Sequence, residues 1–477
     1  MTQHFDLIVI GSGPGGYKSA VIAAQLGAKV ALIEKANPGG TCLNQGCVPK
    51  QALVKIAKLI NNVKAFEGLG LKCSVTPDFS AALEHKNQLI SSIRETVSPW
   101  LKRLGINLIH GHASFVNKTT VQIVSENIET QLLTSNRIII ATGSHPKSHP
   151  LLPNDNPFVI DSQQFMFETE SLPKKLLCVG GGAIGSELAF VMHQFGSQVT
   201  IVENADRLLN IPSISDRASN ALERKLRKIG INIKKKCTVV GQQTFDDRIL
   251  IEFSDGSIES FDKVLVAIGR QANTNQLKLE NTSVDLDEDG FIKTNEFLES
   301  NTLGIYAIGD VKAGPMTASA AYHDAKIAAS NAIGGNQAVN NYHRVPIVID
   351  SALQIASVGL TEDGAEEAGF EPDVARINMA GTTNARLSQD LEGFIEVVYD
   401  EETGHLLGGC IVGQQAREMI HTITAACQSD RGLWFFTDLN YAHPSWNEEL
   451  ENTIYQYVNM FDHSHEPIFQ PGIYAIN

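Results

Sequence analysis

With 477 residues the chain is far too long for one hydrophobic core, so two to four domains are expected. A composition of 43% hydrophobic and 19% charged residues is that of an ordinary soluble enzyme, and no apolar run approaches the roughly 18 residues of a membrane span. The net charge of −15 argues against a nucleic-acid surface.

The N-terminus, Met1 to Asp6, lacks the basic region of a signal peptide and passes straight into a strand. Seven cysteines over this length do not make a secreted disulfide framework, so a cytoplasmic location is expected.

Phe5 to Ile10 is a short apolar strand that runs into Gly11-Ser-Gly13-Pro-Gly-Gly16 and then a helical stretch from Tyr17 to Leu26. A second strand, Lys29 to Ile33, ends at Glu34. Glycines let the backbone approach a pyrophosphate at the helix N-terminus, and the acid can accept hydrogen bonds from an adenosine ribose. The unit recurs at Leu176 to Gly180, Gly180-Gly-Gly182-Ala-Ile-Gly185 and the strand ending at Glu203. Gly11 and Gly180, Gly16 and Gly185, and Glu34 and Glu203 are each 169 residues apart. One copy is compatible with a generic α/β turn; two copies in step predict two bound dinucleotides.

Just after the first unit lie Cys42 and Cys47, five residues apart. A bridge closing so short a loop restrains little of the unfolded chain, so its structural value is small. Either it is a disulfide made to open and close, or these are two unrelated thiols. Pro49 suits the first turn of a helix from about Lys50 to Ala65, and another helix spans about Phe79 to Leu104. Strands follow near Leu108, Val121 and Ile138, the last leading through Ala-Thr to Gly143. The proline-rich segment His145 to Pro157 reads as a linker.

Beyond Glu203 the pattern predicts a helix over about Ser215 to Ile229 and strands up to Gly269; residues 271–300 read as a polar connection. Gly304 to Asp310 is a further strand ending in glycine and acid, ahead of a helix from about Thr317 to Ala332. An aspartate there suits a ribityl chain, or merely caps the helix. From Val345 the pattern changes to strands near Ile347, Ile355, Val374, Ile395 and Leu406, with helices near Asp363 and over Gln414 to Ala426. That is a separate α+β domain. In it, Pro444 is expected to open a helix with His443 just ahead and Glu448 on its early turns, within reach of the imidazole. A structural pairing is the alternative. Residues 401–477 carry ten acidic side chains and two basic ones, which serve either solubility or the docking of a basic partner.

Taken together, Gly39-Gly-Thr-Cys-Leu-Asn-Gln-Gly-Cys47-Val-Pro, Val266-Ala-Ile-Gly-Arg270, Tyr306-Ala-Ile-Gly-Asp-Val311, Ala313-Gly-Pro-Met316 and His443-Pro-x-x-x-Glu448 resemble the flavoprotein disulfide reductases, and within them the lipoamide dehydrogenases. The resemblance covers essentially the whole chain in order. It implies an α/β protein with two Rossmann-like dinucleotide-binding domains plus a C-terminal α+β dimerisation domain. The implied boundaries are 1–148 for FAD, 149–270 for NAD, 271–343 for a central domain and 344–477 for dimerisation.

The implied reaction is oxidation of protein-bound dihydrolipoamide with NAD⁺ through a Cys42–Cys47 redox disulfide and FAD. Cys42 would exchange with substrate and Cys47 would face the flavin. His443 and Glu448 would act across a homodimer as base and its partner. The resemblance also implies cofactor contacts at Gly11, Gly13, Gly16, Glu34, Lys50, Gly143, Asp310 and Met316 for FAD. For the nicotinamide nucleotide it implies Gly180, Gly182, Gly185, Glu187, Glu203 and Gly269, with no metal. Implied partners are a lipoyl-bearing protein of a 2-oxoacid dehydrogenase or related complex and its basic subunit-binding domain; no nucleic acid or membrane is expected.

Lipoamide dehydrogenases usually read Cys-Ile-Pro-Ser-Lys after the second cysteine. Here Lys50 and Gln51 take the Ser and Lys places, so the lysine is shifted by one, as in glutathione-type reductases. Thr317-Ala318-Ser319 replaces the usual Leu-Ala-His. The rival readings are thus an NAD(P)H-dependent glutathione-type reductase and a non-catalytic flavoprotein subunit. The first needs cations beside the second nucleotide strand, where Glu203 has only Arg207 nearby. The second should have lost one of Cys42, Cys47, His443 or Glu448, and all are present.

Overall fold

The computed structural model describes residues 2–72, 74–125 and 128–455. The acidic stretch that begins at 401 is therefore described only as far as 455.

Two five-stranded parallel sheets form the first two-thirds of the chain. In the first, the order is Ile305–Ala307, Ile138–Ile140, Leu7–Ile10, Val30–Glu34, Asn107–His110. In the second it is Val159–Asp161, Lys263–Val266, Lys175–Val179, Gln198–Glu203, Asn232–Lys235. Their central strands are apolar apart from their ends because both faces are covered, one by helices and the other by a small sheet: Ile8 and Ile10 pack on Phe115, Val121 and Leu133, and Leu177 and Val179 pack on Val239, Ile249 and Phe253. The sequence repeat is also a repeat of register. Leu7 lies opposite Val30 and Leu176 opposite Val199, each residue 169 positions after its counterpart.

A third five-stranded sheet is antiparallel, in the order Ile347–Asp350, Gln354–Gly359, Leu406–Val412, Phe394–Asp400, Pro372–Asn378. The helix Ala416–Ala426 buries Met419, Ile420 and Ile423 against it.

The helix that follows the cysteines runs Cys47–Ala65, so it begins three residues earlier than expected, with Pro49 still in its first turn. Its apolar stripe, Leu53, Val54, Ala57 and Ile60, is fully or almost fully buried. That stripe shares one core with Leu188 and Phe190 of the helix Ala183–Phe195, and with Ile349, Leu353 and Ile355 of the antiparallel sheet. Each buried branched side chain contributes on the order of 1.5–3 kcal/mol. The core therefore fixes the cysteine helix against both neighbours.

Three expectations need correction. The segment expected to be a linker begins inside a strand, since Ser144–Pro146 pairs antiparallel with Arg270–Ala272 and satisfies both backbones where the chain crosses between the two sheets. The expected polar connection 271–300 buries Leu277, Leu279, Val284, Phe291, Ile292 and Leu298; spaced irregularly, they show no helical or strand period. Pro444 does not open a helix. It follows a cis peptide bond, and the helix is Glu448–Ile454, led by a turn in which Glu448 N–H donates to Ser445 Oγ at 3.3 Å.

Candidate active site and nucleotide cradles

The two glycine turns are alike in atomic detail. Gly11 and Gly180 have φ of 100° and 104°, a left-handed conformation open to glycine. A Cβ on Gly16 would sit 1.8 Å from Gly11 O, and one on Gly185 would sit 2.0 Å from Gly180 O. Only glycine lets each helix start this close to its strand. Gly13 and Gly182 have no such crowding, with no atom nearer than 4.0 Å to an added Cβ.

At each second strand's end the acid closes the turn. Glu34 accepts from Ser12 N at 2.9 Å, Ser12 Oγ at 2.7 Å and Ala36 N at 2.9 Å. Glu203 accepts from Gly181 N at 2.6 Å and Ala205 N at 2.8 Å. Lone pairs remain on both carboxylates for a ribose diol. Ser12 Oγ also accepts from Gly39 N at 3.2 Å, joining the first turn to the start of the cysteine segment. These cradles fit the two dinucleotides.

A cleft of about 1300 Å³ opens beside the first turn. Of the residues proposed from sequence, Gly11, Gly13, Glu34, Cys42, Cys47, Lys50, Gly143, Glu187, Asp310 and Met316 line it. Gly16, Gly180, Gly182, Gly185, Glu203, Gly269, His443 and Glu448 do not; the second turn lies beyond its end. The first residues of the helix Ala183–Phe195 form part of its wall, which brings Glu187 to the cysteines.

Cys42 sits in the short helix Gly40–Asn44 and Cys47 is the first residue of its own helix. Both are thiols here. Cys42 S–H donates to the Cys47 sulfur, which pushes Cys42 upward in pKa with burial adding to it. The same bond lowers Cys47 to about 7; burial opposes it and the nearby Lys50 charge assists. By contrast, burial pushes Cys178 and Cys427 up to about 12. Cys47 is thus poised to ionise near neutral pH where it meets the cleft, whereas the desolvated Cys178 and Cys427 stay as inert thiols.

Lys50 Nζ donates to Glu187 Oε1 at 2.6 Å, so the shifted lysine reaches the acid expected at the nicotinamide. The same oxygen accepts Asp350 N–H at 2.8 Å. Asp310 accepts from Ser144 Oγ at 2.7 Å, and Arg270 lies 3.5 Å away, itself donating to Ser144 Oγ and O at 2.7 Å. Asp310 lies in a short turn, Gly309–Val311, and does not cap the next helix; Thr317 does that, accepting from Ala320 N at 3.1 Å. Met316 stands between them with φ of 50°.

His443 Nδ1 and Glu448 Oε2 are 2.9 Å apart, as the spacing suggested. The imidazole is 78% exposed and the carboxylate 15%, so the acid is anchored and the ring projects from the surface.

Sequence reasoning missed the cluster of Asp350, Arg417 and Gln51, in which the Gln51 amide meets two charged groups 299 and 366 residues further along the chain. It also missed the hydroxyl pair Tyr17–Tyr322, 2.7 Å apart, between the first helix and the helix Ala318–Gly334.

A profile described as "Pyridine nucleotide-disulphide oxidoreductase" matches residues 5–325, and one described as its dimerisation domain matches 345–454. The chain belongs to the pyridine nucleotide-disulphide oxidoreductase family. Among curated relatives of this family, a dihydrolipoyl dehydrogenase of Thermus scotoductus is 37% identical, covering 94% of this chain and 96% of its own. One of Chlamydia pneumoniae is 34% identical with the same coverage, and one of Bacillus subtilis is 34% identical over 93% and 94%. Among solved structures, the HOCl-induced flavoprotein disulfide reductase RclA of Escherichia coli matches with a TM-score of 0.85 at 27% identity, over 96% of this chain and 100% of that one. LpdA of Mycobacterium tuberculosis shares the fold, with a TM-score of 0.89 at 21% identity over 96% and 100%.

This oxidoreductase thus acts on sulfur groups, in a family that works with FAD and NAD, and it carries the family's dimerisation domain. Among the described residues no helix is long and apolar enough to cross a membrane.

Proposed function

We propose that the chain oxidises dihydrolipoamide carried on another protein, with NAD⁺ as hydride acceptor. The observation that carries this is the Cys42–Cys47 dithiol, with Cys47 held at about 7, facing the Lys50–Glu187 pair in a single cleft.

In this reading Gly11, Gly13, Glu34, Gly143, Asp310 and Met316 hold FAD, while Gly180, Gly182, Glu203 and Gly269 hold the nicotinamide nucleotide. Gly16 and Gly185 set the two helix starts. FAD, when bound, would supply a two-electron carrier between this dithiol and the nicotinamide; the Cys42–Cys47 pair gives up its electron pair only by re-forming the disulfide and releasing the Cys42 proton.

The protein's own residues do the rest. One substrate thiol gives its proton to His443 of the partner subunit, which Glu448 of the partner subunit orients. That sulfur bonds to Cys42 as the Cys42–Cys47 bond breaks, leaving Cys47 as thiolate. The second substrate thiol then displaces Cys42, and lipoamide leaves. Cys42 takes up a proton, giving the Cys42 thiol donating to the Cys47 sulfur, the arrangement present here.

NAD is preferred because Glu203 would meet a 2′-phosphate with like charge. Arg207 is already committed, to Asp216 at 2.9 Å and Ile214 O at 2.8 Å. The four-part domain division and a cytoplasmic location belong to the same reading. So does docking of the acidic C-terminal region on a basic domain of a 2-oxoacid dehydrogenase complex.

A second reading, a glutathione-type reductase, is favoured by one feature, the lysine at position 50. The test is steady-state turnover of dihydrolipoamide with NAD⁺ by the purified flavoprotein and two variants. Wild type should turn over, and Cys42→Ser and Cys47→Ser should each lose roughly 10³-fold or more. Turnover surviving either substitution would remove the dithiol from the reaction.

A further inference from the structure

Where the cysteine helix meets the antiparallel sheet, half-buried cations gather on one buried carboxylate that has no part in the chemistry described so far. Asp350 is 1% exposed at the end of the strand Ile347–Asp350. Its carboxylate accepts from Lys58 Nζ, from Gln51 Nε2 at 2.8 Å and from Arg417 NH2 at 2.8 Å. Arg417 also donates to Gln51 Oε1 at 3.1 Å. Gln51 thus donates with one end of its amide and accepts with the other, which a lysine cannot do. Meanwhile Asp350 N–H donates to the Glu187 oxygen that takes Lys50, and Ser351 Oγ donates to Ser186 O at 2.8 Å.

Three cations, Lys50, Lys58 and Arg417, therefore converge on two carboxylates. We infer that Asp350 is a positioning residue: it takes up the charges of Lys58 and Arg417 so that Lys50 alone pairs with Glu187. On this account the glutamine at position 51, where lipoamide dehydrogenases carry their lysine, belongs to a rearranged charge pattern. Asp350, Arg417 and Gln51 form that pattern. Without the Asp350 charge, Lys58 and Arg417 turn to Glu187, and Lys50 is released toward Cys47. The inference rests on the reading of Lys50–Glu187 as the nicotinamide-side pair.

Asp350→Asn, Arg417→Gln and the double variant, each as the flavin-loaded dimer, test it by two readouts. The first is the pair of half-reactions, flavin reduction by NADH and by dithiothreitol in stopped flow. Asp350→Asn should slow the NADH half-reaction about tenfold while the dithiothreitol one stays within about twofold; the double variant, in which Lys58 alone is left to turn to Glu187, should recover part of the loss. The second is the pH midpoint of the long-wavelength thiolate–flavin band in the dithiothreitol-reduced protein. The charged or titratable groups that bear on Cys47 are Cys42, Lys50, Glu187, Arg270 and Tyr322. A freed Lys50 lowers that midpoint in Asp350→Asn; in Arg417→Gln the under-compensated Asp350 draws Lys50 away from Cys47 and raises it; and the double variant returns toward wild type.

A role confined to stability would lower the melting temperature and move neither readout. A folded Asp350→Asn with wild-type half-reactions and midpoint would overturn the inference. If that variant does not fold, an Arg417→Gln midpoint equal to or below wild type does the same. Wild type that fails to accept electrons from NADH would instead defeat the underlying reading.

Discussion

Glu203 and Glu34 stand at equivalent strand ends, yet the nucleotides they would meet differ in what discriminates them. Both accept from backbone N–H groups of their own turn, so both carboxylates are held in place before any ligand arrives. At Glu203 a 2′-phosphate would bring like charges together, with no free cation supplied by Arg207. Glu203→Ala should therefore narrow the NAD⁺ over NADP⁺ preference by about tenfold, and Glu203→Arg should narrow it further. A wild-type enzyme that prefers NADP⁺ would end this account of the strand end.

Cys47 gives a second prediction at this scale. Its thiol is lowered to about 7, so the thiolate is populated above that pH and lost by protonation as pH falls through it. Cys42→Ser keeps a hydroxyl donor and should retain the long-wavelength band at neutral pH, fading in acid. A band in Cys47→Ser and none in Cys42→Ser would reverse the two roles. Residue identity was legible in the sequence here because motif spacing carries it. The direction of the Cys42–Cys47 hydrogen bond was not, because spacing carries no information on which thiol holds the proton.

The strand–glycine–helix units show how far sequence reaches for elements. Glycines at fixed offsets and apolar runs of five residues sufficed to place both Rossmann units, because local sterics decide both. The glycines divide by function, however, and only the structure separates them. Gly185→Ala would force a Cβ to 2.0 Å from Gly180 O and should cost about 1–3 kcal/mol or more, lowering the melting temperature of the nucleotide domain. Gly182→Ala meets nothing within 4 Å and should leave the melting temperature unchanged while weakening nucleotide binding in a direct titration. Equal melting losses in the two variants would contradict that division. The elements that sequence missed are those set by tertiary contact. Residues 271–300 bury irregularly spaced apolar side chains with no period, and Pro444 looked like a helix start although the helix begins at Glu448, whose N–H donates to Ser445 Oγ. The Asp350 cluster left no local signal, since Gln51 and Arg417 are brought together only by packing of the cysteine helix on the antiparallel sheet.

On the scale of the whole molecule, the cleft holds the dithiol, while His443 projects from the surface of the dimerisation domain and is absent from the cleft wall. That separation is what a site shared between two copies requires. Subunits carrying Cys42→Ser and His443→Ala should each be nearly inactive as homodimers. A mixed dimer should recover roughly half the wild-type activity, since one site then holds both intact groups. No recovery would place the base elsewhere. Docking through the acidic C-terminal region should weaken as salt rises, because exposed charges are screened over about 10 Å at 0.1 M. Affinity for the basic domain that is indifferent to salt would count against an electrostatic contact.

The substrate pair is decided by comparing kcat/KM for dihydrolipoamide with NAD⁺ and kcat/KM for glutathione disulfide with NADPH on the same preparation. With Glu203 facing the nucleotide ribose and the Cys42–Cys47 dithiol in the cleft, the first pair should turn over efficiently and the second little. Efficient reduction of glutathione disulfide with NADPH, with dihydrolipoamide and NAD⁺ left nearly untouched, would contradict that assignment.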